Sequence, residues 1–163
     1  MFVPDVFEDD RGFFKETFSV RKYRDLGLTD EFVQDSVSFS RRNVLRGLHG
    51  DPQMSKLVQV LRGEIWDVIV DARRGSPAYG RWEAFALSET NHHQLYIPRG
   101  FLHGFLALTD GVLFNYKHSA YYEPSREIAV RWDDPTIGIA WPLDGTPIVS
   151  DRDGSAGRFA DLR

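Results

Sequence analysis

The sequence predicts an all-β fold, a sandwich or barrel of short strands. Short apolar or alternating runs recur along the chain, Gly, Pro, Asn and Asp separate them, and aromatic residues make up 13% of the sequence. The Val, Ile and Phe of these runs suit the pleated surface of a strand. Because 163 residues are close to the usual size of one domain, about 150 residues, we expect a single domain over residues 1–163 with few short helices.

One helix and seven strands are predicted in chain order. Ser19 is a suitable N-cap and Gly27 a suitable stop for a short amphipathic helix. The predicted strands are 32–39, 56–60, 64–70, 82–87, 94–97, 112–116 and 127–132. Apolar residues occupy both faces of the run 64–70, which is typical of a strand inside a sandwich.

Composition excludes several classes of partner and cofactor. Twenty-four acidic and 20 basic residues give a net charge of −4, which argues against nucleic acid or an anionic membrane as the main partner. The chain has no cysteine, so disulfides, thiolate nucleophiles and cysteine-ligated metals are excluded. The first ten residues are acidic, unlike a signal peptide, and no apolar run approaches the roughly 18 residues of a membrane helix. We therefore expect a cytoplasmic protein.

The densest cluster of residues with chemical potential spans 43–51 and is followed by Lys56. Arg46 and His49 flank Gly47, so an extended chain would place a fixed cation near an imidazole that titrates near neutral pH. A surface arginine and a hydrogen-bonded structural histidine match so short a motif equally well. From this segment alone, the structural interpretation is favoured.

A second cluster spans residues 97–105 and contains Pro98, Gly100 and His103. Its Pro-x-Gly-x-x-His core resembles the second signature of the cupin superfamily, jelly-roll barrels also called double-stranded β-helices. Metal-dependent cupins combine that histidine with two closely spaced histidines and a glutamate, whereas His49 stands alone in the matching segment. One or two imidazoles make a poor transition-metal cage, so no metal site is predicted.

Several other candidates stay open on the residues alone. Tyr116 is interpreted as a core aromatic and Asp153 as part of a charged tail. His92, His93 and His118 are given no role.

Seven segments together resemble the dTDP-4-dehydrorhamnose 3,5-epimerase family of cupins. They follow the family's order and run nearly from end to end: DDRGFFKETF, FVQDSVSFSRRNVLRGLHG, SKLVQVLRGEIWDVIVDARRGSP, QLYIPRGFLHGF, FNYKHSAYYEPSRE, WDDPTIGIAWP and IVSDRD. The resemblance implies a cupin jelly-roll sandwich that forms a homodimer and needs no metal or other cofactor. It implies an isomerase that inverts C3, C5 or both in a nucleoside-diphosphate 4-keto-6-deoxy sugar, by proton abstraction next to the C4 ketone.

The resemblance also implies a role for each matching residue. His49 would be the base, Asp153 would pair with it and fix its tautomer, and Tyr116 would donate a proton on the opposite face of the sugar. Lys56 and Arg46 would line the carbonyl oxygen, where positive charge stabilises an enolate. The other matches are substrate contacts: His103 with Arg46 at the diphosphate; Arg11, Phe14 and Glu16 toward the nucleotide, often from the partner subunit; Gln34, Asp35 and Ser36 beneath the sugar; Tyr122 against the base; Glu127 and Arg152 on the nucleotide side.

Three departures from the family pattern leave the substrate open. The loop GDPQMS, residues 50–55, is shorter than in typical members and lacks the Gln usual two positions after His49. Ser36 stands where an Asn is usual, and the N-terminal strand often used in the dimer is shortened. The His-Gly-Asp form is similar to members acting on other nucleotide sugars, including GDP-linked heptoses. The nucleotide, the sugar and the number of inverted centres therefore stay open, as do the details of the dimer.

Two further functions remain as alternatives. A sugar 3,4-ketoisomerase is also a cupin, but it typically uses a pair of neighbouring histidines, whereas His49 is alone in its strand. A non-catalytic sugar-binding cupin would need neither a base nor an acid.

Overall fold

The computed structural model describes residues 1–162. The strands are β1 (Val6–Asp9), β2 (Gly12–Lys15), β3 (Gln34–Ser40), β4 (Leu45–Gly50), β5 (Lys56–Arg62), β6 (Glu64–Asp71), β7 (Trp82–Ser88), β8 (Gln94–Ile97), β9 (Phe101–Ala107), β10 (Val112–His118) and β11 (Ile128–Ala129). The helices are α1 (Val20–Asp25) and α2 (Asp151–Gly154), with short 3₁₀ turns at Pro124–Arg126 and Phe159–Asp161.

Two antiparallel sheets form the body of the molecule. One has the spatial order β3-β10-β5-β8 and the other β11-β4-β9-β6-β7, while β1 and β2 form a separate hairpin. The inner faces of the two sheets pack on each other, as Phe105 of β9 and Phe114 of β10 do with ring centroids 4.9 Å apart. This is the jelly-roll sandwich that the sequence predicts.

The core between the sheets draws on both of them. Its fully buried members include Val58, Val60, Ile65, Leu87, Leu95, Ile97, Phe105, Ala107, Val112 and Phe114. Alternate residues of a strand point to opposite faces, so the other face of each strand is free to meet a different layer. A polar region replaces this apolar core at the end of the sandwich where β5 begins and β10 ends.

The chain after β10 covers the outer face of the five-stranded sheet. Trp141 packs edge-on against Trp66 of β6, with ring centroids 5.3 Å apart. Parallel bridges join Val44 to Ile148 and Val130 to Gly157, on either side of α2. These contacts hold α2 against β4.

Most of the predicted elements are confirmed, with small shifts at their ends. The helix begins after Ser19, whose side chain accepts a hydrogen bond from the Lys22 N–H, and Gly27 follows its end with φ +90°. Strand 94–97 has the predicted bounds, and β3, β5, β6, β7 and β10 differ from the predictions by at most two residues at either end.

The strand predicted at 127–132 is wrong over most of its length. Only Ile128–Ala129 is a strand, because the segment pairs with the end of β4 and then leaves the sheet edge. Strands β1, β2, β4 and β9 had no strand prediction. In the described residues no helix is long and apolar enough to cross a membrane.

Candidate functional site

Four strands from both sheets bring candidate residues together at the polar end of the sandwich. His49 on β4 lies directly opposite His103 on β9 in the five-stranded sheet. Lys56 on β5 and Tyr116 on β10 belong to the four-stranded sheet. The sandwich therefore presents His49 and Tyr116 from two different layers to the space between them.

A register shift in β4 sets the position of His49. The pairing of β4 with β9 is irregular between Arg46 and His49. Gly47, within this irregularity, has φ +127°, and a Cβ there would lie 2.6 Å from the Cα of Gly104. Only glycine tolerates both this backbone conformation and this close approach. Bulges of this kind reorient side chains next to functional sites.

His49 forms a tight pair with Asp153. Its Nε2 lies 2.6 Å from Asp153 Oδ1, and Asp153 Oδ2 accepts a hydrogen bond from the Gly47 N–H at 3.1 Å. Helix α2 presents this carboxylate, since the Ser150 hydroxyl caps it by accepting from the Asp153 N–H at 3.1 Å. Sequence and structure thus agree in bringing together two residues separated by about a hundred positions.

The charge of Asp153 determines which nitrogen of His49 can act as a base. Burial raises the pKa of Asp153, but its bond to His49, the His49 charge and the Gly47 N–H outweigh burial and hold the pKa below its ordinary value. An ionised carboxylate only accepts hydrogen bonds, so in the neutral form of the imidazole the hydrogen lies on Nε2 and the lone pair on Nδ1. Nδ1 lies 4.0 Å from Glu127 Oε1. The geometry makes Nδ1 the free basic atom.

Tyr116 is the buried hydroxyl that faces this site from the other sheet. Burial raises the pKa of its hydroxyl above the ordinary tyrosine value, although a hydrogen bond with Ser38 and the charge of Arg46 act in the opposite direction. Its hydroxyl lies 3.1 Å from the Ser38 hydroxyl. The phenol stays protonated near neutral pH and is available as a proton donor.

Two cations lie close to these groups. Burial lowers the pKa of Lys56, while the carboxylates of Glu127, Asp67 and Asp51 raise it. Arg46 is exposed, and its guanidinium donates to the Ser40 hydroxyl at 3.2 Å and to the Phe39 carbonyl at 3.0 Å. Positive charge here would stabilise an oxyanion that develops between the sheets.

His103 lies deeper than the sequence analysis expected. Its Nε2 is 3.0 Å from Asp67 Oδ2, and both residues are buried. Its ring meets Tyr116 edge-on, with centroids 6.3 Å apart. This places His103 in the interior beside Tyr116, and its contact with a diphosphate stays a prediction. Sequence reasoning missed Asp67, although a carboxylate within the buried run Glu64–Asp71 was a usable signal.

The outer part of the site holds the residues matched to nucleotide contacts. The Tyr122 hydroxyl donates to Glu127 Oε2 at 2.9 Å, and Arg152 pairs with the same oxygen. Gln34 accepts a hydrogen bond from the Tyr122 N–H at 3.1 Å. Beside Gln34 on β3, Ser36 accepts from the Gln34 amide at 3.4 Å. These five residues form one connected rim.

Asp35 differs from its neighbours on β3. Its carboxylate is exposed and accepts two hydrogen bonds from the Lys117 ammonium, each at 2.8 Å. Alternation along β3 turns Asp35 to the face away from Gln34 and Ser36. Its side chain therefore points away from the space that His49 and Tyr116 face, and its contact with the sugar stays a prediction.

Three predicted substrate contacts lie on the N-terminal segment and not at the rim. Arg11 bonds to Asp9 within the hairpin turn, Glu16 pairs with Lys22 at 3.0 Å, and the Phe14 side chain is 71% exposed. The hairpin belongs to neither sheet. Within one chain the structure does not bring these residues to His49.

No group of three or more His, Asp or Glu side chains in residues 1–162 is arranged to hold a metal ion. The chemistry that the site supports with its own residues is proton transfer between a basic imidazole and a phenol, next to fixed positive charge.

Comparison with known proteins gives consistent results over nearly the whole chain. The family model described as dTDP-4-dehydrorhamnose 3,5-epimerase matches residues 1–161. A protein of that name from Methanothermobacter thermautotrophicus is 47% identical over 154 residues, which cover 92% of this chain and 83% of the relative. Another of that name from Pseudomonas aeruginosa is 44% identical over 164 residues, covering 99% of this chain and 91% of the relative.

Solved structures show the same likeness in three dimensions. The crystal structure of dTDP-6-deoxy-D-glucose-3,5-epimerase from Legionella pneumophila, in complex with dTDP-4-keto-L-rhamnose, superposes with a TM-score of 0.95 at 43% identity. The match covers 99% of this chain and 87% of that one.

Proposed function

This chain belongs to the dTDP-4-dehydrorhamnose 3,5-epimerase family, and from that premise we propose that it is an isomerase of a nucleoside-diphosphate 4-keto-6-deoxy sugar, inverting C3, C5 or both. One observation carries the proposal beyond the family. A paired imidazole, His49 with Asp153, and a protonated phenol, Tyr116, face one space from two different sheets. Inversion at carbon needs a base on one side of the sugar and an acid on the other, and this arrangement supplies both.

The proposed reaction follows from the acidity of a C–H bond next to a ketone. His49 Nδ1 removes the proton from C3 or C5, and the electron pair of that bond moves to form an enolate with its charge on the C4 oxygen. Lys56 and Arg46 stabilise this charge. Tyr116 delivers its proton to the opposite face of the same carbon, so the enolate returns to the ketone with inverted configuration. Exchange with solvent then restores the proton on Tyr116 and removes the one on His49.

The diphosphate and nucleotide fit the outer rim. Arg152 belongs to that rim through its pair with Glu127, Arg46 is an exposed cation of β4, and arginine binds phosphate oxygens through paired N–H groups. Tyr122 offers an exposed ring beside them for stacking on a base. We take dTDP as the first nucleotide to test, because the similar enzyme from Legionella pneumophila was crystallised with dTDP-4-keto-L-rhamnose.

The proposal includes a homodimer. The hairpin exposes Phe7, Phe13 and Phe14, with exposed fractions of 63%, 56% and 71%, and β3 exposes Val37 and Phe39, each at 57%. Large exposed apolar side chains on each of these two surfaces favour association, because burying them removes apolar surface from water. A second copy covering these surfaces would also bring Arg11 and Phe14 toward a neighbouring site. A cytoplasmic location stays a prediction.

The direct test is proton NMR of dTDP-4-keto-6-deoxyglucose with the purified protein in D₂O. Loss of both the H3 and H5 signals would support a 3,5-epimerase, and loss of one would support a single-centre enzyme. The His49→Ala variant is the control, and it should bind dTDP but exchange neither proton. Migration of the ketone to C3 would instead indicate a ketoisomerase. Binding without exchange of dTDP-, GDP- and CDP-linked 4-keto sugars would leave a sugar-binding protein.

A further inference from the structure

His118 is a partly buried imidazole beside the proposed site that the mechanism above does not use. It ends β10 and lies directly opposite Lys56 of β5 in the strand register. Its ring stacks on Tyr116, with centroids 5.9 Å apart and planes inclined by 19°. Residues two apart on a strand, and residues opposite each other on paired strands, share a face of the sheet. His118, Tyr116 and Lys56 therefore all face the space between the sheets.

The tautomer of His118 follows from its contact with Met54. Nδ1 lies 3.1 Å from the sulfur of Met54, a buried residue of the loop between β4 and β5. A thioether accepts hydrogen bonds and donates none, so the hydrogen of this contact belongs to Nδ1. Nε2 is left with a lone pair and no hydrogen.

The imidazole is neutral at physiological pH. Burial lowers its pKa to about 4; the nearby charges of Lys56 and His103 act in the same direction, and Asp35 acts against them. A neutral ring with a hydrogen on Nδ1 can only accept at Nε2.

Nε2 of His118 has no partner for this lone pair within residues 1–162. It is one of two buried side-chain atoms in the described chain without a hydrogen bond, the other being Asp67 Oδ1. A buried acceptor left unsatisfied is costly, and most such atoms in folded proteins find a donor. The structure thus contains an unused acceptor of defined orientation next to the proposed site.

Lys56 provides the matching donor across the strand pair. Its ammonium carries three N–H groups. Burial lowers its pKa, and the carboxylates of Glu127, Asp67 and Asp51 raise it through their charge alone, without a hydrogen bond. Lys56 is thus a donor without a hydrogen-bonded acceptor among the described residues, and it lies opposite His118, whose Nε2 is an acceptor without a donor.

We propose that His118 is a positioning residue for Lys56, whose ammonium donates one hydrogen bond to His118 Nε2 and directs its other N–H groups toward the sugar carbonyl. The catalytic part of this inference rests on the proposed function. A carboxylate in this place would offset the positive charge of Lys56, whereas a neutral imidazole holds the ammonium and leaves its charge for the enolate oxygen.

Two substitutions separate the nitrogens of His118. The amide of His118→Gln reaches the place of Nε2 and restores an acceptor for Lys56. The amide of His118→Asn reaches only the place of Nδ1, so it keeps a donor for Met54 and loses the acceptor. Both variants remove the ring from Tyr116, which makes each the control for the other.

The readout is the pKa of Lys56, measured by NMR in protein labelled with ¹³C at the lysine Cε and assigned through the Lys56→Met variant. Without its acceptor the buried ammonium is less stable, so the pKa of Lys56 should fall by about one unit in His118→Asn, a tenfold change in its protonation equilibrium. It should stay near the wild-type value in His118→Gln. Turnover should follow the same order, with kcat about tenfold lower in His118→Asn and KM little changed.

Either of two results would overturn the inference. One is the same Lys56 pKa in wild type and His118→Asn, with thermal unfolding showing that the variant is folded. The other needs no variant: a ¹⁵N spectrum of the wild-type histidines that places the hydrogen of His118 on Nε2. If the wild type does not turn over any 4-keto sugar, the proposed function fails, and the Lys56 pKa still decides this inference.

Discussion

Replacing Asp153 by asparagine tests the pair on which the proposed base depends. The substitution keeps the shape of the side chain but removes the charge that lies 2.6 Å from His49 Nε2. In the reaction His49 becomes a cation, and a buried carboxylate stabilises that cation more than an amide does. Hydrogen bonds to charged groups contribute about 1.5–3 kcal/mol, against about 1 kcal/mol for neutral ones. An amide N–H facing Nε2 would also shift the imidazole hydrogen to Nδ1 and remove the base.

The lost charge accounts for about 0.5–2 kcal/mol, and the shifted hydrogen adds to it. We therefore expect Asp153→Asn to lower kcat by at least about 30-fold, which corresponds to a loss of roughly 2 kcal/mol in the transition state. The assay is deuterium exchange at C3 and C5 followed by NMR, with dTDP affinity measured by calorimetry. Asp151→Asn is the matched control, because Asp151 lies on the same short helix but is exposed. A rate within threefold of wild type, with unchanged affinity, would refute the role given to Asp153.

Four further predictions concern other parts of the molecule. Tyr116→Phe should reduce inversion at least about 100-fold, while proton removal by His49 should stay detectable as deuterium exchange. In the wild type, the pH profile of kcat should show no tyrosine ionisation below about pH 10. Normal inversion in the variant would exclude Tyr116 as the acid. Asp71→Asn should lower the free energy of unfolding at pH 7 by about 1–2 kcal/mol. The hydrogen bond from the neighbouring arginine holds the pKa of Asp71 well below its usual range. This contribution to stability is therefore present above about pH 4 and is lost as the pH falls further. The free energies of unfolding of wild type and variant, measured in urea, should become equal in acid. Gly47→Ala should lower the free energy of unfolding by at least about 2 kcal/mol. The control Gly75→Ala should lower it by about 1 kcal/mol, because φ is also positive there but no atom lies within 4 Å of an added Cβ. Equal unfolding midpoints for the two variants would contradict the close packing of β4. EDTA should leave turnover unchanged, and activity lost to EDTA and restored by a divalent cation would contradict the proposed mechanism.

The strands that could be predicted from the sequence are those whose residue types and hydrophobic pattern both agree with the strand that the structure shows. Runs such as Glu64–Asp71 contain β-branched and aromatic residues and are buried on both faces, so pattern and structure agree. Strands β4 and β9 escaped prediction because Gly47 and Gly104 interrupt their patterns. Those glycines serve the close approach of two backbones, which appears only in three dimensions.

The candidate site differs from the fold in which features could be predicted from the sequence. The pairing of His49 with Asp153 followed from the resemblance and is present, although no local pattern could join a residue of β4 to one of α2. Asp67 and His118 were missed because each leaves one buried atom, Oδ1 and Nε2 respectively, without a hydrogen-bond partner, and only the folded structure shows this. Strand alternation, which depends on register, turns the side chain of Asp35 outward, and the sequence pattern alone does not show this.

The two proton-transfer groups of the proposed mechanism belong to separate sheets, His49 to the five-stranded one and Tyr116 to the four-stranded one. In that mechanism, each face of the sugar is thus served by a different sheet. Mutations in one layer can retune one proton transfer while leaving the other in place. During divergence, the proton-transfer group on one face of the sugar can therefore change first, while each intermediate protein keeps the group on the other face.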